Sequence, residues 1–175
     1  MMKKNIRNML RKKQKGFTLI EMVLYIGILT LLLGVMSAIL GSIVSVQLES
    51  TSTSSVDQDG RYILEKFTRD VASSSAILIP VNPGIQTNTF QITINSINYT
   101  YSIDSNNNLQ VINNSTNEIN VLNSYDTTVS SLTFTRIGSG TNNDTIQITY
   151  VVTSRNKEKA GQQEVKSFTT TVGNE

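Results

Sequence analysis

Between Gly16 and Leu48 the chain carries one charged side chain, Glu21, inside the stretch KGFTLIEMVLY at the head of a long apolar run. Seven cations precede it, Lys3, Lys4, Arg7, Arg11, Lys12, Lys13 and Lys15, and no acid does. At the centre of a bilayer a charged residue costs about 2.5–3.5 kcal/mol on insertion scales. Glu21 sits at the edge of the run, where the cost is smaller. On position alone, an interfacial carboxylate snorkelling toward the headgroups accounts for it. A plain anchor gains nothing from such an acid.

Other chemistry is scarce. The chain has no His and no Cys, which removes the Ser–His–Asp arrangement, the commonest zinc ligand, thiolate sites and any disulfide framework. Catalysis would have to run on carboxylates such as Asp57, Asp59 and Asp70, or on Lys. No paired-acid spacing supports it, and no cofactor or metal is implied. The run DSNNNLQVINNS begins like a calcium loop, with Asp104, Asn106 and Asn108 at alternate positions. Leu109 and Ser115 stand where glycine and glutamate are required, so a hairpin turn is the better reading. Asn-x-Ser/Thr triplets at Asn98, Asn113, Asn114 and Asn143 are expected by chance in so Asn- and Thr-rich a chain. Formal net charge is +2, but the basicity belongs to the N-terminal segment. Beyond residue 16, eight cations face thirteen acids, a balance of −5 with no basic cluster. Direct nucleic-acid binding is therefore not expected.

The elements that must hold Glu21 follow from the pattern around it. Residues 17–46, FTLIEMVLYIGILTLLLGVMSAILGSIVSV, make a helix of about 45 Å at ~1.5 Å per residue, longer than a ~30 Å hydrocarbon core. That exceeds the ~7–15-residue apolar region of a secretory signal, and no small-residue cleavage site follows. The cations lie wholly on the N-terminal side, so residues 1–15 are expected in the cytoplasm and the C-terminal part outside. Gly27, Gly34 and Gly41 recur every seven residues, close to one helix face. Ala38, Ser42 and Ser45 widen a small-residue surface of the kind that lets membrane helices approach closely.

The basic leader followed by KGFTLIEMVLYIGILTLLLGVMSAI closely resembles the N-terminal signature of type IV prepilins and type II secretion pseudopilins. Gly16, Phe17 and Glu21 match that family's cleavage site, new N-terminus and acidic residue position for position, with Thr18, Leu19 and Ile20 between them. The likeness covers Lys15 to about Leu40. It implies that a prepilin peptidase cuts between Gly16 and Phe17 and methylates Phe17. The resulting α-amine, with an unperturbed pKa of about 7.7–8, would be a cation at a helix N-terminus, where the dipole disfavours it. The carboxylate of Glu21 on a neighbouring subunit is then the natural partner, setting axial stagger during assembly. The implied partners are the peptidase, the cytoplasmic membrane and other pilin or pseudopilin subunits, met through the N-terminal helix. One departure stands out: no proline precedes Pro80, whereas many major pilins carry one in this helix. That tilts the likeness toward a minor pilin or pseudopilin.

The expected fold class is α+β, a long N-terminal helix and a C-terminal antiparallel β-sheet head. Four segments follow: a leader over 1–16, the membrane helix over 17–46, its soluble continuation or a linker plus helix over 47–75, and a β-rich head over 76–175. ESTSTSSVDQDG (Glu49–Gly60) is poor in helix formers, so either one helix continues or two meet near residue 52. Ser55 with Gln58 fits a capping box for the second, and Asp59–Gly60 can be read as a turn. Ile63, Leu64, Phe67 and Val71 form one amphipathic face, and Glu65–Arg69 is a favourable i,i+4 pair. From Ala76 the period becomes two. AILIP, TFQITI, INYTYSI, NLQVI, INVL, SLTFTRI, DTIQITYVVT and EVKSFTTTV read as strands between turn clusters at NPG, DSNNN and GSGTNND. Ser154–Glu164 reads as a charged hairpin tip.

The leading expectation is a filament subunit without enzymatic activity. Its rival is an exported β-rich binding or adhesion domain on an uncleaved anchor, indifferent to Glu21. A tethered carboxylate hydrolase is the third reading.

Overall fold

A computed structural model describes residues 16–138, 145–157 and 161–173. The leader through Lys15, most of GSGTNND, Asn143 and the centre of the charged Ser154–Glu164 run lie outside them. The chain divides into two compact units, Met1–Ile43 and Val44–Glu175. The fold is α+β: helix α1 (Leu19–Ala72) is followed by antiparallel sheets.

In the first unit every described residue is exposed. The second unit buries Ser52, Val56, Asp59, Gly60, Ile63, Phe67, Asp70 and Val71 of α1. Residues 49–60 are helical throughout, so the two-helix alternative fails. Ser55 and Gln58 lie in the helix interior and cap nothing. Low intrinsic propensity is overridden here because packing of one face outweighs costs of a few tenths of a kcal/mol per residue. Asp59–Gly60 is likewise no turn. An added Cβ at Gly60 would collide with the Phe168 ring, and the Gly60 carbonyl accepts the Tyr150 hydroxyl (2.6 Å). Glycine is there to let a strand approach, and it accepts its helix-propensity cost for that contact.

Nine strands follow: β1 (Ala76–Ile79), β2 (Gln86–Thr87), β3 (Phe90–Ile94), β4 (Ile97–Ile103), β5 (Leu109–Asn113), β6 (Glu118–Val121), β7 (Thr127–Arg136), β8 (Thr145–Lys157) and β9 (Gln163–Gly173). Among the described residues each of the eight expected runs holds a strand. The two-residue β2 escaped the pattern, and β7 starts four residues before its apolar run. Pairing divides them into two sheets, β1-β3-β4-β5-β6 and β2-β7-β8-β9, a partition that alternation along single strands cannot reveal.

Asparagine makes the tight turns. Asn95 and Ser96, both at positive φ, join β3 to β4, and Asn107 and Asn117 take the same left-handed region between β4, β5 and β6. Gly84 does so in the NPG turn.

The core of the second unit is an aromatic cluster. Phe67 of α1 lies 5.2 Å from Phe90, 6.1 Å from Tyr101 and 5.9 Å from Phe134 by ring centroid, and so touches both sheets. Phe90 and Phe134 stack across the sheets at 5.0 Å. Replacing Gly60 by Ala should overpack this docking surface and cost about 1–3 kcal/mol. Thermal melting of the detergent-solubilised chain, followed by its β signal, is expected to drop for Gly60→Ala. It should stay unchanged for Gly34→Ala, where an added Cβ meets nothing.

Candidate functional site

The residues singled out in the sequence sit at the start of α1. Phe17 is exposed and its ring meets Tyr25 edge-on at 6.2 Å. Thr18 is the N-cap. Its carbonyl accepts the amides of Glu21 (3.1 Å) and Met22 (3.2 Å), and its Oγ1 also accepts the Glu21 amide (3.4 Å). Glu21 is therefore the third helical residue, within the first turn, where a carboxylate is favoured by the helix dipole. Sequence reasoning missed this local role, although Thr-x-x-Glu is a capping-box pattern that stood in plain view. Among the described residues the Glu21 carboxylate has no ion-pair partner within the chain.

Farther along, an added Cβ at Gly27, Gly34 or Gly41 would meet nothing within 4 Å. That stripe is open to close approach. Thr30 returns its hydroxyl to the carbonyls of Ile26 (3.0 Å) and Gly27 (2.9 Å), so its polar group is satisfied inside the helix, as an apolar solvent requires. Among the described residues α1 is the one helix long and apolar enough to cross a membrane.

The carboxylates considered for catalysis are not brought to a common site. Asp57 pairs with Lys166 of β9 (2.5 Å). Asp59 Oδ2 accepts the Ser124 amide (2.8 Å), the Ser124 hydroxyl (2.7 Å) and the Thr127 hydroxyl (2.5 Å). Asp70 accepts Lys66 Nζ on both oxygens (2.7 Å each) and the Tyr101 hydroxyl (2.5 Å). Burial first, then the Asp70 charge, pushes the Tyr101 phenol far above its usual range, and burial does the same to Tyr150. These acids bolt separate strands and loops to the helix. Glu65 and Arg69 form the expected pair at 2.6 Å on the exposed face, worth little in stability.

The calcium-like run is a β4–β5 hairpin turn. Asp104 Oδ1 accepts the amides of Asn106 (2.8 Å) and Asn108 (2.7 Å), and Oδ2 accepts the Asn108 side chain (3.0 Å). The Asn108 backbone bond leads the interactions that hold the Asp104 carboxyl below its usual range, with smaller help from Asn106 and Arg155.

Residues 11–37 match the family model described as the prokaryotic N-terminal methylation motif. No curated protein and no solved structure gives a significant match. The motif match, together with an apolar helix able to span a membrane, supports a type IV prepilin-like chain.

The Asp104 turn carries a pH signature. Its folded-state pKa lies below the ordinary 3.8, so its stabilisation is present above about pH 3.8 and is lost as pH falls through the lower folded value. Asp104→Ala should lower Tm at pH 7, and the gap from wild type should close on acidification below pH 3.8.

Proposed function

We propose that the chain is a non-enzymatic structural subunit of a type IV pilus or type II secretion pseudopilus. In this reading it is made as a single-pass precursor, N-terminus cytoplasmic and C-terminal part outside. Prepilin peptidase removes the leader over 1–16 and methylates Phe17. The helix over 17–46 then packs against its copies in the filament, the stretch over 47–75 continues it, and the β-rich head over 76–175 is displayed.

The motif match over residues 11–37 is the observation that carries this reading. By resemblance, Gly16, Phe17 and Glu21 correspond to the family's cleavage site, new N-terminus and acidic residue. Chemistry adds to it. Gly16 offers a protease cleft an unhindered backbone. Phe17 has only an N-cap threonine between it and the first helical turn, so a new ammonium there would lie beside an unfavourable dipole. A carboxylate in the first turn of a neighbour, at the same depth or one step displaced, relieves that charge. The open faces of Gly27, Gly34 and Gly41 permit the close approach such a pair requires.

Mass spectrometry of the mature protein should find N-methylated Phe17 at the N-terminus. A chain beginning at Met1 would favour the uncleaved, tethered binding domain instead. Separately, Glu21→Ala should insert and be cleaved normally yet fail to assemble, and wild-type filament yield from that variant would remove the registration role.

A further inference from the structure

Independently of the N-terminal reading, the head carries a cavity of about 370 Å³ between the β4–β5 turn, the end of β6, the connection to β7 and β8. Asn106, Asn108, Val121, Ser124, Tyr125 and Arg155 form its walls, over Asn123. Asn123 is fully engaged in structure. Its Oδ1 accepts the Leu109 amide (2.8 Å), and its Nδ2 donates to Asn108 Oδ1 (3.4 Å) and to the carbonyls of Ser124 (3.2 Å) and Thr127 (3.0 Å). From the helix side, Asp59 holds the same connection through Ser124 and Thr127. The cavity is built rather than incidental.

Arg155 is its charged group, and it is fixed by neutral acceptors. Nε donates to the Thr127 carbonyl (3.1 Å), and Nη2 donates to the Asn106 carbonyl and to Asn108 Oδ1 (3.2 Å each). Among the described residues no carboxylate lies within ion-pair distance of it. A guanidinium has five N–H donors in a planar fork, so the two on Nη1 are left without a protein acceptor among the described residues. Asp104, the near acid, spends both oxygens on its own turn. Beside the guanidinium, 6.0 Å from ring centroid to Cζ, stands Tyr125, which is 91% exposed. An aromatic ring so exposed, beside a cation held by three hydrogen bonds, is a ready contact for a ligand face.

The ligand class follows from these groups. The two N–H groups left on Nη1 carry the guanidinium charge and can each donate to an anionic oxygen, which suits an oxyanion such as a carboxylate. Besides Arg155 and Tyr125, the described lining residues are three asparagines, Ser124 and Val121, a mixed surface with amide and hydroxyl groups among apolar atoms. They suit a polyhydroxylated ligand. A single-stranded nucleic acid would also use a cation and a stacking ring, but it needs a groove of cations along its backbone. Among the described residues Arg155 is the only cation in this lining, and the chain beyond residue 16 is net acidic. We propose that this cavity binds an acidic sugar of a uronate-bearing glycan, its carboxylate on Arg155 Nη1 and its ring on Tyr125.

The test uses the full chain in detergent micelles, titrated with trigalacturonate and with neutral galactotriose by saturation-transfer NMR and calorimetry. Trigalacturonate should bind, and galactotriose at least about tenfold more weakly, the loss expected for one charged hydrogen-bonded contact. Arg155→Gln should cost about tenfold or more. Tyr125→Ala, a change at a side chain that the core does not use, should cost about fivefold. Thr169→Ala, on β9, should bind as wild type. Equal binding of the neutral sugar, no binding of trigalacturonate, or unchanged affinity in Tyr125→Ala would overturn the proposal. So would tighter binding of oligothymidylate or of a polyglutamate peptide, which would reassign the cavity to nucleic acid or protein.

Discussion

The second unit depends on Phe67. This one side chain, carried by α1, touches Phe90 and Tyr101 of one sheet and Phe134 of the other. Neither sheet has its own helix, and each leaves an apolar face that must be covered. Full burial of a phenylalanine contributes about 1.5–3 kcal/mol, and each well-placed aromatic pair adds roughly 0.5–1.5 kcal/mol. Phe90, Tyr101 and Phe134 also meet one another across the two sheets, so helix and both sheets join in this one cluster around Phe67. Val56, Ile63 and Val71 extend the same face above and below it, and Gly60 lets Phe168 close against the helix.

Polar contacts then choose the register of that packing. A bare apolar face can slide along a helix by a turn at small cost, whereas a buried carboxylate cannot. Asp59 accepts three donors from the β6–β7 connection and the start of β7, and Asp70 accepts the Tyr101 hydroxyl from β4. Removing one partner would strand a desolvated acid or donor, a penalty larger than the net worth of the bond. The acids that looked like candidates for catalysis are thus pins. Asp59 pins the connection that shapes the Arg155–Tyr125 cavity, which ties the head's surface chemistry to its core.

The N-terminal stretch obeys different physics. Its apolar side chains are all exposed; of its polar groups, the Thr30 hydroxyl is returned to the backbone and Glu21 is placed at the helix start. Glu21 can serve the dipole of its own helix and still face a cation on another. The two roles are compatible because a first-turn carboxylate points back toward the N-terminus, where any neighbour's ammonium would also lie.

Much of the fold is legible in the sequence alone. Period-two runs marked the longer strands because each has one buried face, and Asn-rich breaks marked turns because Asn tolerates left-handed backbone. The amphipathic face through Phe67 was readable for the same kind of reason. Continuity of the helix across residues 49–60 was left open by the residues themselves, because the Ser and Thr there have poor propensity and burial of Ser52, Val56 and Gly60 favours the helix. In the sequence, the family resemblance alone favoured the continuous form. The two-residue β2 is too short for any period to register. The T-x-x-E cap was visible but was overshadowed by the oddity of a charge in an apolar run.

The amino-acid order by itself determined the N-terminal motif, the membrane-length helix and the alternation of the strands, since each is a property of neighbours along the chain. Which strands share a sheet, why Gly60 must be glycine and how Arg155 comes to stand beside Tyr125 were decided only by the tertiary fold. Those are contacts between segments tens of residues apart, and nothing local in the chain encodes the distance between them.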